Sequence, residues 1–194
     1  MKDKQHTVEQ DTRRWLERAV IGLNLCPFAK SVHVKGQVHY AVTAATDGAG
    51  LRQALVSELQ DLVALDPQVR DTTLLIAPDA FADFLDFNDF LAEADDVLAE
   101  LELEGTLQIA PFHPRFQFAG TAEDDITNST NRAPYPTLHL IREASIDRAV
   151  QSFPEAEAIF GVNMATLEKL GPDGWAALEV GPTLPAGTCG KLAP

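Results

Sequence analysis

The chain has 194 residues, 45% of them hydrophobic, and a mean hydropathy of −0.07: enough apolar material for one packed domain and too much for a disordered chain. Its 29 acidic residues outnumber 15 basic ones, for a net charge of −14, and such a surface repels nucleic-acid phosphates and anionic lipid heads. No apolar run reaches the length of a bilayer span, so membrane insertion is excluded as well. The opening MKDKQHTVEQDTRRW has no apolar signal segment, so the expected location is cytoplasmic, with Cys26 and Cys189 as reduced thiols.

Along the chain, TVEQ at Thr7–Gln10 reads as a capping box that opens a helix. Trp15, Leu16, Ala19, Val20 and Leu23 fall on one face of it, and Pro27 limits it near Asn24–Cys26. QVHYAVTA (Gln37–Ala44) reads as a strand. A helix with Leu51, Leu55, Leu59 and Leu62 on its inner face follows and closes by Pro67. TTLLIAP (Thr72–Pro78) suits a strand buried on both faces. Asp79 is the expected cap of an acidic, phenylalanine-rich helix that ends at Gly105. TLQIAPF (Thr106–Phe112) is the third strand and TLHLIRE (Thr137–Glu143) the fourth. Ser145 is the expected cap of a short helix to Phe153, and PEAEAIFGVNMATLEKLG gives a last helix bounded by Pro154 and Gly171.

This order predicts a layered α/β domain over residues 1–175. Its sheet is mainly parallel or mixed, of about four strands, flanked by helices. An α+β sandwich is the alternative. Residues 176–194 read as a Gly/Pro-rich C-terminal tail, with Trp175 and Leu178 as docking points.

The segment HPRFQFAGTAEDDITNSTNRAPYPTLHLIRE, between the third and fourth strands, is too long and too polar for a plain connection. No lysine or arginine occurs from Asp71 to Pro114, whereas Arg115, Arg132 and Arg142 follow closely. If the fourth strand returns antiparallel, its entrance lies beside the exit of the third, where open α/β sheets bind ligands. His113, Asn128, Asn131, Arg132 and Tyr135 then converge. Arg132 is the candidate anchor for a carboxylate or phosphate, and His113 or His139 the candidate acid/base. Each also has a plainer reading: arginines paired with the acidic helix, asparagines as turn formers, His139 as a hydrogen-bonded core residue. Two histidines near Asp124 and Asp125 lack any metal-ligand spacing, so no metal is expected.

Cys26, in NLCPFAK, is either a nucleophile paired with one of these histidines or a structural thiol. A thioredoxin-like role is disfavoured, because the helix precedes the cysteine and no CxxC pair exists. In DFLDFNDFL, Asn88 and Asp89 are the polar members to watch, since aromatic neighbours would partly bury them. The other acids of that row read as a solvated face.

Several stretches in order, WLERAVIGLNLCPFAK, DFLDFNDFLAEAD, GTLQIAPFHPRFQFAGT, DITNSTNRAPYPTLHLIRE and NMATLEKLG, resemble the proteins grouped as domain of unknown function 1415. The resemblance covers roughly residues 11–175 and implies no established activity. It takes in Cys26, Pro27, Asn88, Asp89, His113, Pro114, Asn128, Asn131, Arg132, Tyr135, Pro136 and His139.

Two functions fit these observations. One is an enzyme of hydrolase or transferase type acting on a small anionic or polar metabolite, with His113 as acid/base, Arg132 as anchor, and Asn128 and Asn131 orienting the substrate. The other is a non-catalytic domain that binds a small molecule or a protein partner. The sequence specifies neither a cofactor nor an oligomeric state.

Overall fold

A computed structural model describes residues 2–152 and 158–183. Four strands form one mixed sheet: β1 (Val38–Val42), β2 (Thr72–Ile76), β3 (Leu107–Phe112) and β4 (Thr137–Arg142), in the order β1-β2-β4-β3. β1 and β2 are parallel, whereas β4 runs antiparallel to both β2 and β3. The expected antiparallel return of β4 beside β3 is present. β4 also inserts between β2 and β3, so β2 and β3 point the same way without touching.

Helices cover both faces. α3 (Gly48–Ala64) and α4 (Phe84–Glu100) carry Leu51, Leu55, Leu59, Leu62, Phe87, Phe90 and Val97 onto the face made by Leu75, Leu107, Leu138 and Leu140. The four α3 leucines are buried because helical spacing stacks them on one stripe. The opposite face, Tyr40, Leu74, Ile76 and Phe112, packs against Val8, Trp15, Leu16 and Ala19. β2 is buried along its whole length, as its unbroken apolar run requires.

Three local expectations are corrected. α1 begins at Lys2 and runs to Trp15, so Thr7 lies inside it and donates to the Asp3 carbonyl instead of capping. Asp83, not Asp79, caps α4, accepting from Leu85 N–H at 2.8 Å. α5 (Glu143–Ser152) starts where β4 ends, and Ser145 donates to Asp71 rather than capping. The polar connection holds a 3₁₀ helix, Ile126–Asn131, capped by Asp125. Ion-pair partners and tertiary packing chose among the several residues able to cap.

Beyond Trp15 the first helix widens into a π-helical stretch, Leu16–Ile21. Gly22 N–H donates to Glu17 O at 3.0 Å and Leu25 N–H to Val20 O at 2.9 Å, the longer reach of π turns. A Cβ at Gly22 would lie 2.2 Å from the Arg18 carbonyl oxygen. A short helix, α2 (Ala29–Val34), follows. α6 (Ile159–Ala177) breaks at Gly171, whose φ of 69° suits glycine, as expected for a residue ending a helical turn before proline. The start expected at Pro154, and Phe153 before it, lie outside the described residues.

Candidate functional site

Because β2 and β3 both oppose β4, their carboxyl ends and the amino end of β4 meet at one edge of the sheet. An open cleft of about 390 Å³ lies there, lined by Pro78, Asp79, Ala80, Ala82, His113, Pro114, Pro134, Tyr135 and Pro136. The place follows from topology, and the prolines stiffen it.

His113 is almost fully buried, stacked on Phe87 at 5.3 Å and tilted against Phe84 at 5.5 Å. Its Nδ1 accepts from Arg115 N–H at 3.0 Å, so the ring proton sits on Nε2 and donates to the Phe81 carbonyl at 2.9 Å. Burial holds its pKa below the ordinary 6.5. Phe81 itself has a φ of 55°, uncommon for a bulky residue. The histidine bond and the Phe87 and Phe90 rings hold it there.

The other expected polar groups of the connection build the connection itself. Asn128 is fully buried. Its Oδ1 accepts from Phe118 N–H and Thr121 Oγ1, and its Nδ2 donates to Ala122 O. Asn131 Nδ2 donates to Pro111 O, and its own carbonyl accepts from His113 N–H. Arg132 donates to the carbonyls of Phe116 and Glu123. These three side chains shape the loop and are not among the residues that line the cleft.

His139 sits on β4, with Nε2 2.7 Å from Thr72 Oγ1. Thr72 spends its one proton on Leu140 O, so the histidine is the donor, protonated at Nε2. Burial pushes its pKa down to about 4. Cys26 packs beside the second core cluster, and burial pushes its thiol above the ordinary 9.0. Asn88 and Asp89 are exposed on the outer side of α4. The expected aromatic burial fails because Phe87 and Phe90 turn inward and carry their neighbours outward. Cys189 lies outside the described residues.

Two participants escaped sequence reasoning. Asp79, at the cleft, holds the Lys4 ammonium with both oxygens, at 2.6 and 2.7 Å. Asp11 is fully buried and accepts from Tyr135 Oη, Thr183 N–H, Thr183 Oγ1 and Arg14 Nη2. Its signal was present: it lies between Val8 and Trp15 on the apolar face of α1, where a carboxylate needs partners. Arg14 and Arg18 also donate to the carbonyls of Leu178, Glu179 and Gly181, holding this stretch after α6 against α1 together with Val180.

Among the described residues no group of His, Cys, Asp and Glu is placed to hold a metal ion. Among the described residues no helix is long and apolar enough to cross a membrane. A family model described as "Protein of unknown function (DUF1415)" matches residues 7–177, and the chain belongs to that family. No curated protein and no solved structure matches it.

Proposed function

We propose that this member of the family is a small-molecule-binding domain whose ligand occupies the cleft at the strand ends. The ligand places an ammonium or other cationic donor on Asp79 and its apolar part against Tyr135 and the flanking prolines. The carrying observation is that Asp79 is the only charged side chain among the described lining residues, and its carboxylate already holds an ammonium, that of Lys4. A ligand amine would exchange with Lys4, whose side chain is 59% exposed and costs little to release.

The catalytic alternative has less support. His113 and His139 are neutral donors near pH 7, the Cys26 thiol is held above its ordinary range, and Arg132 is spent on backbone carbonyls. None of these groups is poised to exchange a proton or anchor an anion at the cleft.

Thermal-shift titration with short alkyl amines and their matching carboxylates tests the reading on the wild type, Lys4→Met and Asp79→Asn. Amines are expected to stabilise the wild type, to bind Lys4→Met more tightly, and to leave Asp79→Asn unshifted. Stabilisation by carboxylates alone, or equal amine binding by Asp79→Asn, overturns it.

A further inference from the structure

β1 and β3 are the two edge strands of the sheet. The parallel bonds of β1 to β2 fix which of its residues face inward. Gln37 O accepts from Thr72 N–H at 3.3 Å, and Thr43 N–H donates to Ile76 O at 2.9 Å. A parallel ladder alternates, so residues 37, 39, 41 and 43 serve β2. The N–H and C=O groups of Val38, Tyr40 and Val42 therefore point away from it. No described residue bonds to these outward groups.

Such a row is a template for another strand. The strand VHYAV carries none of the lysines or prolines that blunt an edge. β3, by contrast, contains Pro111, which has no N–H to offer. A cavity of about 330 Å³ lies beside β1, lined by Lys2, Gln5, His6 and Glu9 of α1 and by Tyr40 and Val42. It leaves room next to the strand on the face that α1 covers.

The charge at this edge suits a second copy of the chain. The stretch Asp71–Pro114, without lysine or arginine, puts its acids on α4, which packs over β3 at the far side of the sheet. Beside β1 both signs are present. Lys2 lines the cavity and Arg13 lies over the Tyr40 ring, while Glu9 and Glu17 act on the same phenol. A partner of one sign meets repulsion from half of these groups, whereas a copy presents both signs in return. Two chains of net charge −14 thus meet here with less repulsion than at the acidic side.

We infer that the chain forms a two-fold homodimer in which β1 pairs antiparallel with β1 of a second copy, joining two four-stranded sheets into one. Centred on Tyr40, the pairing sets Tyr40 opposite Tyr40, and Val38 opposite Val42 of the second copy. All the outward groups then fall at the hydrogen-bonded positions of an antiparallel ladder. His39 falls opposite Ala41, a large side chain against a small one. A two-fold contact uses the same edge on both chains and closes, and Pro111 keeps the joined sheet from growing at its far edges. The interface is independent of the strand-end cleft.

Sedimentation equilibrium over a range of concentrations tests it. The wild type is expected to rise from the 21.1 kDa of one chain to twice that mass. Val42→Pro removes an outward N–H and no bond to β2. It is expected to weaken dimerisation roughly tenfold or more while keeping the wild-type far-UV dichroism. Cross-linking reads the register without asking the strand to accept a proline. Diagonal neighbours of an antiparallel pair lie about 7–8 Å apart. In a Cys26→Ala, Cys189→Ser background, a short bis-maleimide should therefore join His39→Cys chains into a covalent dimer. Leu85→Cys, at an exposed position on α4, should stay monomeric. A wild type that keeps the mass of one chain leaves the edge to some other partner and overturns the inference. So does an undiminished dimer in folded Val42→Pro, or cross-linking through Leu85→Cys in place of His39→Cys.

Discussion

The hydroxyl of Tyr135 donates to Oδ2 of Asp11 at 2.7 Å, joining residues 124 positions apart. One carboxylate thereby ties a wall of the cleft to α1 and, through Thr183, to the end of the described chain. Burial alone would raise the Asp11 pKa, but the bonds from Thr183, Tyr135 and Arg14 outweigh it and hold the carboxyl below its ordinary range.

Asp11→Ala leaves these donors buried without an acceptor, and is expected to cost about 3 kcal/mol at pH 7. The folded-state pKa is depressed, so the contribution is complete above the ordinary value of 3.8 and fades as pH falls through the folded value. Urea unfolding at pH 7 and at progressively lower pH should show the gap between wild type and variant closing in acid. A constant gap would refute the assignment.

Gly22→Ala drives a methyl into the Arg18 carbonyl, 2.2 Å away with no flexible atom to yield. The π turn must open, at an expected cost of about 2–3 kcal/mol. A variant whose urea midpoint matches that of the wild type would show that the turn is not so tightly closed.

His139 makes stability depend on pH in the opposite sense to a salt-bridged histidine. Its folded pKa, about 4, lies below the ordinary 6.5. Between these values the unfolded chain takes a proton that the folded chain refuses, so stability falls as pH drops from 6.5 towards 4. The partly buried ring contributes about 2–3 kcal/mol over that window. His139→Gln keeps a donor for Thr72 and should flatten the profile there, and His113, shifted the same way, adds a smaller slope that persists. An unaltered profile in the variant would remove His139 as the cause.

Cys26 is expected to alkylate slowly. Burial disfavours its thiolate, although the Phe28 and Ala29 backbone amides partly offset this. In a Cys189→Ser background, iodoacetamide should label Cys26 at neutral pH more slowly than it labels a free cysteine. Faster labelling would restore the nucleophile reading.

The sheet was legible because its strands are short apolar runs whose borders are set by proline, glycine and polar residues, and each expected strand is present within a residue or two. Helix starts were less legible, since Asp79 and Asp83 are equally good caps by type, and the positive φ of Phe81 between them together with the Lys4 contact of Asp79 leaves Asp83 as the cap. The polar connection stood out by its length and its polarity. Whether Asn128 and Arg132 serve a ligand or their own loop depends on where carbonyls of Phe116, Glu123 and Ala122 come to lie, and no local pattern encodes that.

Composition and periodicity determined that this is an α/β domain with an acidic surface and a sheet flanked by helices. Those properties depend on side chains taken a few at a time. The tertiary structure decided that β4 slips between β2 and β3, and so which loops share an edge. It also turned His113 into a neutral wall, gave Asp79 its ammonium, and put β1 at an edge of the sheet. Hydrogen bonds form between groups a few ångströms apart in space, and chain distance sets no limit on which groups those are.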